Sequence, residues 1–332
     1  MTVLANENPD VIPAGTLEQF SFDAPSLKGN VAGENASREI IVYLPVGYYA
    51  DLNKTFPVIY VLHGYEGEPN SWFDEGLNDE AGLDDILDEV INEGDLEPSI
   101  VVAVDGRSSL NGSWYINSPI SGNFLDYLTI DVVREIDIRY RTLPGKMAIL
   151  GHSMGGFGAM LAAMENPTLY RTCVGLSPAG MMMKRHDYQQ HAAFFQSELE
   201  KLINGGEPEW FIYAYLTIIR AIAPDINNPL LYISKDIDDI VTELEDFQLS
   251  DIAMRQVDRI RDLPIYTEIG DNEGESVGEP ILDNFNTMIT TFEALELNVT
   301  SHVFIGGHTD KVVEQVYRGL RYIGGIFQES KI

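Results

Sequence analysis

Met147-Ala-Ile-Leu-Gly-His-Ser-Met-Gly-Gly-Phe-Gly-Ala-Met160 changes character in its middle. Met147–Leu150 is a short apolar run that reads as a buried strand. From Met154 onward the spacing of Ala159, Met160, Leu161, Ala162, Ala163 and Met164 reads as a helix. Ser153 occupies the corner between the two. Gly151-His152-Ser153-Met154-Gly155 is a G-x-S-x-G pattern, in which a strained strand-to-helix turn presents a serine hydroxyl. Glycines flank the serine because the chain doubles back too closely for a Cβ. The helix N-terminus after the serine offers an N–H and a positive dipole end to an oxyanion. A Gly/Ser-rich turn without chemistry would carry the same five letters, but it would not need a strand before them and a helix after.

The rest of the composition narrows the field. The 332 residues suit one large domain with an elaboration or two smaller ones, and a hydrophobic content of 45% supports a sizeable core. A formal charge of −31 argues against nucleic acid or an anionic membrane as partner, since no basic surplus can neutralise phosphates. No apolar run approaches the ~20 residues of a membrane span. The single cysteine, Cys173, excludes an intramolecular disulfide. With no leader legible at the start of the sequence, it favours a cytoplasmic location.

Outward from the corner the chain alternates strands and helices. Thr16–Ala24 and Arg38–Leu44 read as an opening antiparallel pair, and Phe56–Leu62 as a strand covered on both faces. Helix Leu83–Ile91, strand Ser99–Val104, loop Asp105–Gly122 and helix Phe124–Ile138 precede the corner. Strand Arg171–Leu176, strand Pro264–Ile269, helix Ile281–Leu295, strand Val299–Ile305 and helix Lys311–Phe327 follow it. The pattern predicts an α/β architecture: a mostly parallel, eight-stranded sheet with helices on both faces and a site at the carboxyl ends of the strands. Residues 179–263 break the rhythm. They hold Met181–Met183 and the helical stretches His191–Leu202, Glu209–Ile222 and Ser250–Arg261, the last with Ser250 as N-cap. This is read as a helical cap inserted between the sixth and seventh strands, with residues 1–178 and 264–332 as the core. A peripheral oligomerisation element, and so a homo-oligomer built through this region, is the alternative.

A serine becomes a nucleophile when a base takes its proton. Of six histidines, His152 should point away from the corner, His63 belongs to a His-Gly turn, His186 and His191 lie in the cap, and His302 lies inside a strand. His308 remains, in the loop Gly306-Gly307-His308 after the last strand. Its carboxylate partner should come from Gly270-Asp271-Asn272-Glu273, where either Asp271 or Glu273 keeps the order Ser…acid…His. Met154 N–H and Tyr65 N–H, the latter in the loop after the third strand, are the oxyanion donors. Trp72, Trp114 and Tyr115 sit on loops of the same rim and are candidates to hold a substrate ring, the alternative being that they pack beneath the cap.

Five motifs in order now carry a family resemblance: Leu62-His63-Gly64, Tyr115-Ile-Asn-Ser-Pro119 with Gly122, Tyr140-Arg141-Thr142, Gly151-His-Ser-Met-Gly-Gly156 and Gly306-Gly-His308. Together they resemble the esterase D-type esterases of the α/β-hydrolase superfamily, a group with feruloyl and acetyl-xylan esterases, S-formylglutathione hydrolases and mycolyltransferases. The resemblance covers Arg38–Ser177 and Pro264–Phe327. It implies an α/β-hydrolase fold and acyl-ester hydrolysis by a serine triad, with no metal or cofactor. The family's acid usually stands three residues after a glycine ending the seventh strand, most often as Asp. That position is Glu273 here, which keeps Asp271 as the alternative.

The resulting expectation is a serine carboxylesterase for a small-molecule ester of a short-chain or aromatic acyl group. Ser153 is the nucleophile, His308 the base and Glu273 the acid. An acyltransferase using the same residues is the first rival, and a non-catalytic binding protein on a hydrolase fold the second.

Overall fold

The computed structural model describes residues 13–73, 77, 81–179, 185–234, 237–274 and 281–329. The opening arm at residues 1–12 and Met181–Met183 lie outside the described residues. The strands are β1 (Thr16–Asp23), β2 (Ser37–Leu44), β3 (Phe56–Leu62), β4 (Ile100–Val104), a two-residue hairpin pair β5 (Asn117–Ser118) and β6 (Gly122–Asn123), β7 (Thr142–His152), β8 (Thr172–Leu176), β9 (Ile265–Gly270) and β10 (Val299–Phe304). The hairpin apart, they form one eight-stranded sheet in the order β1-β2-β4-β3-β7-β8-β9-β10. The contacts of β2 with β1 and β4 are antiparallel, and every other pairing is parallel.

Strand chemistry explains the sheet's centre. All seven residues of β3 and all five of β4 are buried, as continuous apolar runs should be when helices cover both faces. Val58, Tyr60 and Leu62 point into one core and Ile59 and Val61 into the other, following the period of two. The ladder with β7 shifts register between Phe56 and Val58, where Pro57 has no N–H to donate. Thr142 pairs with Phe56, so β7 runs longer than the Met147–Leu150 of the sequence reading.

The helices complete the layers. On the face of Ile59 lie α1 (Leu83–Glu93) and α10 (Val312–Glu329). On the other lie α4 (Met154–Glu165), α9 (Ile281–Ala294) and a composite helix. That composite is read from sequence as one helix over Phe124–Ile138, but it is α2 (Phe124–Asp126), a π-helical segment Tyr127–Val132 and α3 (Val133–Arg139). Every residue of α4 from Met154 to Met164 is buried, which accounts for its lack of a polar face.

Between β8 and β9 come α5 (Arg185–Ile203), α6 (Phe211–Ile222), α7 (Ile237–Glu245) and α8 (Leu249–Ile260). The first three pack on one another, whereas α8 packs against α4 and α9. Within the stretch read from sequence as a cap, α8 thus packs on helices of the core. Ser250 lies within α8, whose N-cap is Gln248. The indole Nε1–H of Trp114 donates to Ala214 O on α6 (3.1 Å), and Ser118 Oγ–H donates to Arg220 O (3.0 Å). These bonds seat α6 on the loop that follows β4. Among the described residues no helix is long and apolar enough to cross a membrane.

Candidate active site

Parallel register brings the ends of β3, β7, β8 and β9 into line: Leu62 pairs with Gly151, His152 with Leu176, and Leu176 with Glu268. One residue beyond that line the chain turns sharply at Ser153, with φ 58° and ψ −122°. A non-glycine residue held there costs on the order of 1–3 kcal/mol. The surroundings enforce it. Ser153 N–H donates to Leu176 O (2.9 Å), while Ser153 O accepts from Phe157 and Ala179 N–H (3.1 Å each). A Cβ on Gly151 would stand 2.1 Å from Gly155 O, and one on Gly155 only 1.9 Å from Leu62 O. The glycines of the motif are thus required by backbone passing backbone.

Three side chains from three loops meet at this corner. Ser153 Oγ lies 2.8 Å from His308 Nε2, and His308 Nδ1 lies 2.8 Å from Glu273 Oε2. With Nδ1–H donating to the carboxylate, Nε2 is left to accept the serine proton. Glu273 is buried, whereas the His308 side chain is 38% exposed, so the relay opens to solvent at its histidine. The other carboxylate oxygen, Oε1, accepts from Ser177 Oγ–H (2.5 Å) and Gly270 N–H (2.9 Å). Burial would raise the Glu273 carboxyl, but the bonds from His308, Ser177 and Gly270 outweigh it and hold the group below the ordinary glutamate range. Asp271 is engaged elsewhere: its Oδ1 accepts from Gly306 N–H (3.0 Å) and ties the β9 loop to the histidine loop.

Two further histidines frame the site as neutral imidazoles. His63 is buried; its Nδ1–H donates to Gly64 O (2.7 Å) and its Nε2 accepts from Gly106 N–H (2.9 Å). Burial pushes it down to about 4. His152 turns from the serine, as its place on the corner requires, and its Nε2–H donates to His308 O (3.0 Å). Desolvation, helped by the adjacent His308, pushes it to about 4. His302 is exposed on β10. The side chains of His186 and His191 lie outside the described residues.

The three loop aromatics take structural places. Trp72 is 3% exposed and sits in the cluster on the α1/α10 face. Trp114 is 5% exposed, its ring edge-on to Phe157 at 6.1 Å and its indole N–H bonded into α6. Tyr115 is wholly buried and its hydroxyl donates to His63 O (3.2 Å). All three rings are thus largely buried, in keeping with the packing alternative, since rings of this size release most free energy when buried.

The oxyanion candidates differ in what surrounds them. Met154 is the first residue of α4, where an N–H has no intrahelical acceptor. Its Sδ accepts from Trp114 N–H (3.4 Å). The loop carrying Tyr65 approaches the serine closely, since a Cβ on Gly64 would stand 3.3 Å from Ser153 Cβ. The Tyr65 hydroxyl donates to Leu110 O (2.8 Å), and its ring faces the exposed Trp210 of the segment leading into α6 at 6.0 Å. Neither Trp210 nor the Ser177 bond is legible in the sequence: Trp210 is one apolar residue among many, and Ser177 one serine after a strand.

The chain is similar to several known proteins. The endo-1,4-beta-xylanase/feruloyl esterase of Xylanibacter ruminicola is 31% identical over 161 residues, 47% of this chain but 20% of that protein. The mouse S-formylglutathione hydrolase is 34% identical over 70 residues, 20% of this chain and 25% of that one. The chain thus spans about a fifth to a quarter of the length of these curated relatives. Among solved structures, a ferulic acid esterase superposes with a TM-score of 0.66 at 17% identity, covering 94% of this chain and 99% of that one. An S-formylglutathione hydrolase from Agrobacterium tumefaciens gives 0.62 at 14% identity, covering 95% and 96%. These likenesses show a shared α/β-hydrolase fold. A family model described as "Putative esterase" matches residues 33–311, most of the chain, and the protein belongs to that esterase family.

Proposed function

We propose that the protein is a serine carboxylesterase working through an acyl-enzyme. The observation that carries this is the continuous relay Ser153–His308–Glu273, with both links at 2.8 Å, on a strained serine at the end of a parallel strand. Ser153 Oγ attacks the ester carbonyl carbon while its proton passes to His308 Nε2. Glu273 keeps His308 in the required tautomer and stabilises the imidazolium. Met154 N–H and Tyr65 N–H receive the oxyanion, the second because the Gly64 approach brings its loop against the serine. Collapse breaks the C–O bond, and His308 returns the proton to the leaving alcohol. Water, deprotonated by the same imidazole, then releases the acid and restores the serine.

For the acyl group we propose a hydroxycinnamoyl-like or short-chain acid. Two relatives are named as feruloyl or ferulic acid esterases. The Tyr65–Trp210 pair supplies an aromatic rim, and we read α5, α6 and α7, which pack on one another, as its cap. Hydrolysis of p-nitrophenyl acetate and methyl hydroxycinnamates tests the reading. Ser153→Ala should lower turnover by at least ~10³-fold, in keeping with loss of an acyl-transfer nucleophile. A wild-type protein inert on every ester would overturn the proposal.

A further inference from the structure

On the esterase reading above, we propose that Ser177 and Gln315 are positioning residues for the relay: together they fix the Glu273 carboxylate so that one oxygen always faces His308. Ser177 follows β8 directly and is fully buried, with φ 41°, a left-handed conformation that a serine adopts at a cost. Its N–H donates to Glu268 O on β9 (2.7 Å), which holds this conformation. Its hydroxyl proton goes to Glu273 Oε1 at 2.5 Å. Having given its one proton, Ser177 Oγ can only accept from elsewhere, and Gln315 Nε2–H on α10 meets it at 3.0 Å. The direction of the chain is therefore determined: Gln315 N–H to Ser177 O–H to Glu273, opposite the His308 N–H that arrives at Oε2.

Packing alone does not call for this arrangement. Gln315 is completely buried, and its Oε1 is left with no hydrogen-bond partner among the described residues. An apolar side chain in the same place would avoid the unpaired carbonyl, and a glycine at 177 would adopt the positive φ without strain. Both unfavourable features converge on one carboxylate. A glutamate has one more rotatable bond than an aspartate. Held only by His308, its two oxygens could exchange by rotation of the terminal torsion. Ser177 and Gly270 pin Oε1 and remove that freedom.

The test compares Ser177→Gly, Ser177→Ala and Gln315→Met with wild type, each also in a Glu273→Gln background. Steady-state kinetics on a turned-over ester, thermal unfolding and the downfield proton resonance of the His308–Glu273 bond are recorded. Ser177→Gly and Ser177→Ala should each lower kcat by about 10-fold with KM within about twofold, as loss of an orienting contact does. Gln315→Met should lower kcat by several-fold at an unfolding temperature equal to or above wild type. In the Glu273→Gln background none of the three should lower kcat further, because their effect runs through that carboxylate. The resonance should weaken or shift in every Ser177 or Gln315 variant that retains Glu273. Wild-type kcat in the three variants, or a full loss persisting in the Glu273→Gln background, overturns the proposal while leaving the esterase reading intact. Should Ser177 variants fail to fold, Gln315→Met decides alone. Should wild type be inert on all esters, the esterase reading falls and the resonance still tests whether Ser177 and Gln315 order the carboxylate.

Discussion

Two acids of one short loop divide their work by where their oxygens end. Glu273 Oε2 meets His308 Nδ1, whereas Asp271 Oδ1 meets Gly306 N–H. The consequence is a sharp asymmetry between isosteric amide substitutions. Glu273→Gln keeps the volume but can turn an N–H toward His308 and favour the wrong tautomer. Loss of kcat by ~10³–10⁴-fold is expected, the scale seen when a triad carboxylate becomes an amide. Asp271→Asn can still accept from Gly306 through its carbonyl, so kcat should stay within about threefold. Steady-state kinetics of the two variants on one ester checks both, and a greater loss in Asp271→Asn than in Glu273→Gln would reverse the assignment. Sequence alone left these two carboxylates open because both stand in one short loop. What separates them is the direction of the side chain, which the hydrogen bonds fix.

The glycine positions show what a secondary-structure element can and cannot accept. In α4 a Cβ on Gly155 would stand 1.9 Å from Leu62 O, so Gly155→Ala forces backbone from backbone at the nucleophile turn. A loss of at least about 3 kcal/mol in stability is expected, with activity lost alongside, because a rigid carbonyl cannot yield as a flexible side chain could. In α10 a Cβ on Gly325 would meet nothing within 4 Å. Gly325→Ala should therefore stabilise by roughly 0.5–1 kcal/mol through helix propensity. Chemical denaturation of both variants reads the opposite signs. The same elements show how far periodicity reaches. Strands buried on both faces, such as β3 and β4, were plain as apolar runs, and the corner at Ser153 was plain from its glycines. The π-helical segment at Tyr127–Val132 was not, since one extra residue per turn hardly disturbs the apolar spacing. Nor were the aromatics. Trp114 and Tyr115 stand in a polar loop, and only the fold shows that α6 covers one and the His63 turn the other. The Ser177–Gln315 bond joins residues 138 apart, a pairing that no local pattern encodes.

At the scale of the whole molecule, titratable groups withdrawn from solvent pull acid stability in two directions, Glu268 one way and His63 and His152 the other. Glu268, buried in β9, is raised to about 7 from an ordinary 4.5 because burial outweighs its bonds with Arg318. The fold therefore prefers its protonated form, a contribution fully present below about 4.5 and lost as pH rises through about 7. His63 and His152 work the other way. Each falls from 6.5 to about 4, so the fold prefers them neutral, and stability is lost as pH drops from 6.5 toward 4. Each group amounts to about 3 kcal/mol over its interval, and two histidines oppose one glutamate. Between pH 6.5 and 4.5 the protein should thus lose a net ~3 kcal/mol. Below 4.5 the loss deepens as Glu273, held below that value by its donors, begins to protonate. Acid also relieves repulsion within a chain of charge −31, so the measurement belongs in about 0.5 M salt, where screening shortens to ~4 Å. Thermal unfolding from pH 8 to pH 4 should show the decline. Glu268→Gln should raise stability at pH 8 by up to about 3 kcal/mol and leave it near wild type at pH 4, steepening the fall. An unfolding temperature that holds level or climbs from pH 6.5 to 5 would mean that the two histidines accept protons inside the fold. The bond that His63 Nε2 accepts from Gly106 N–H would then have to break.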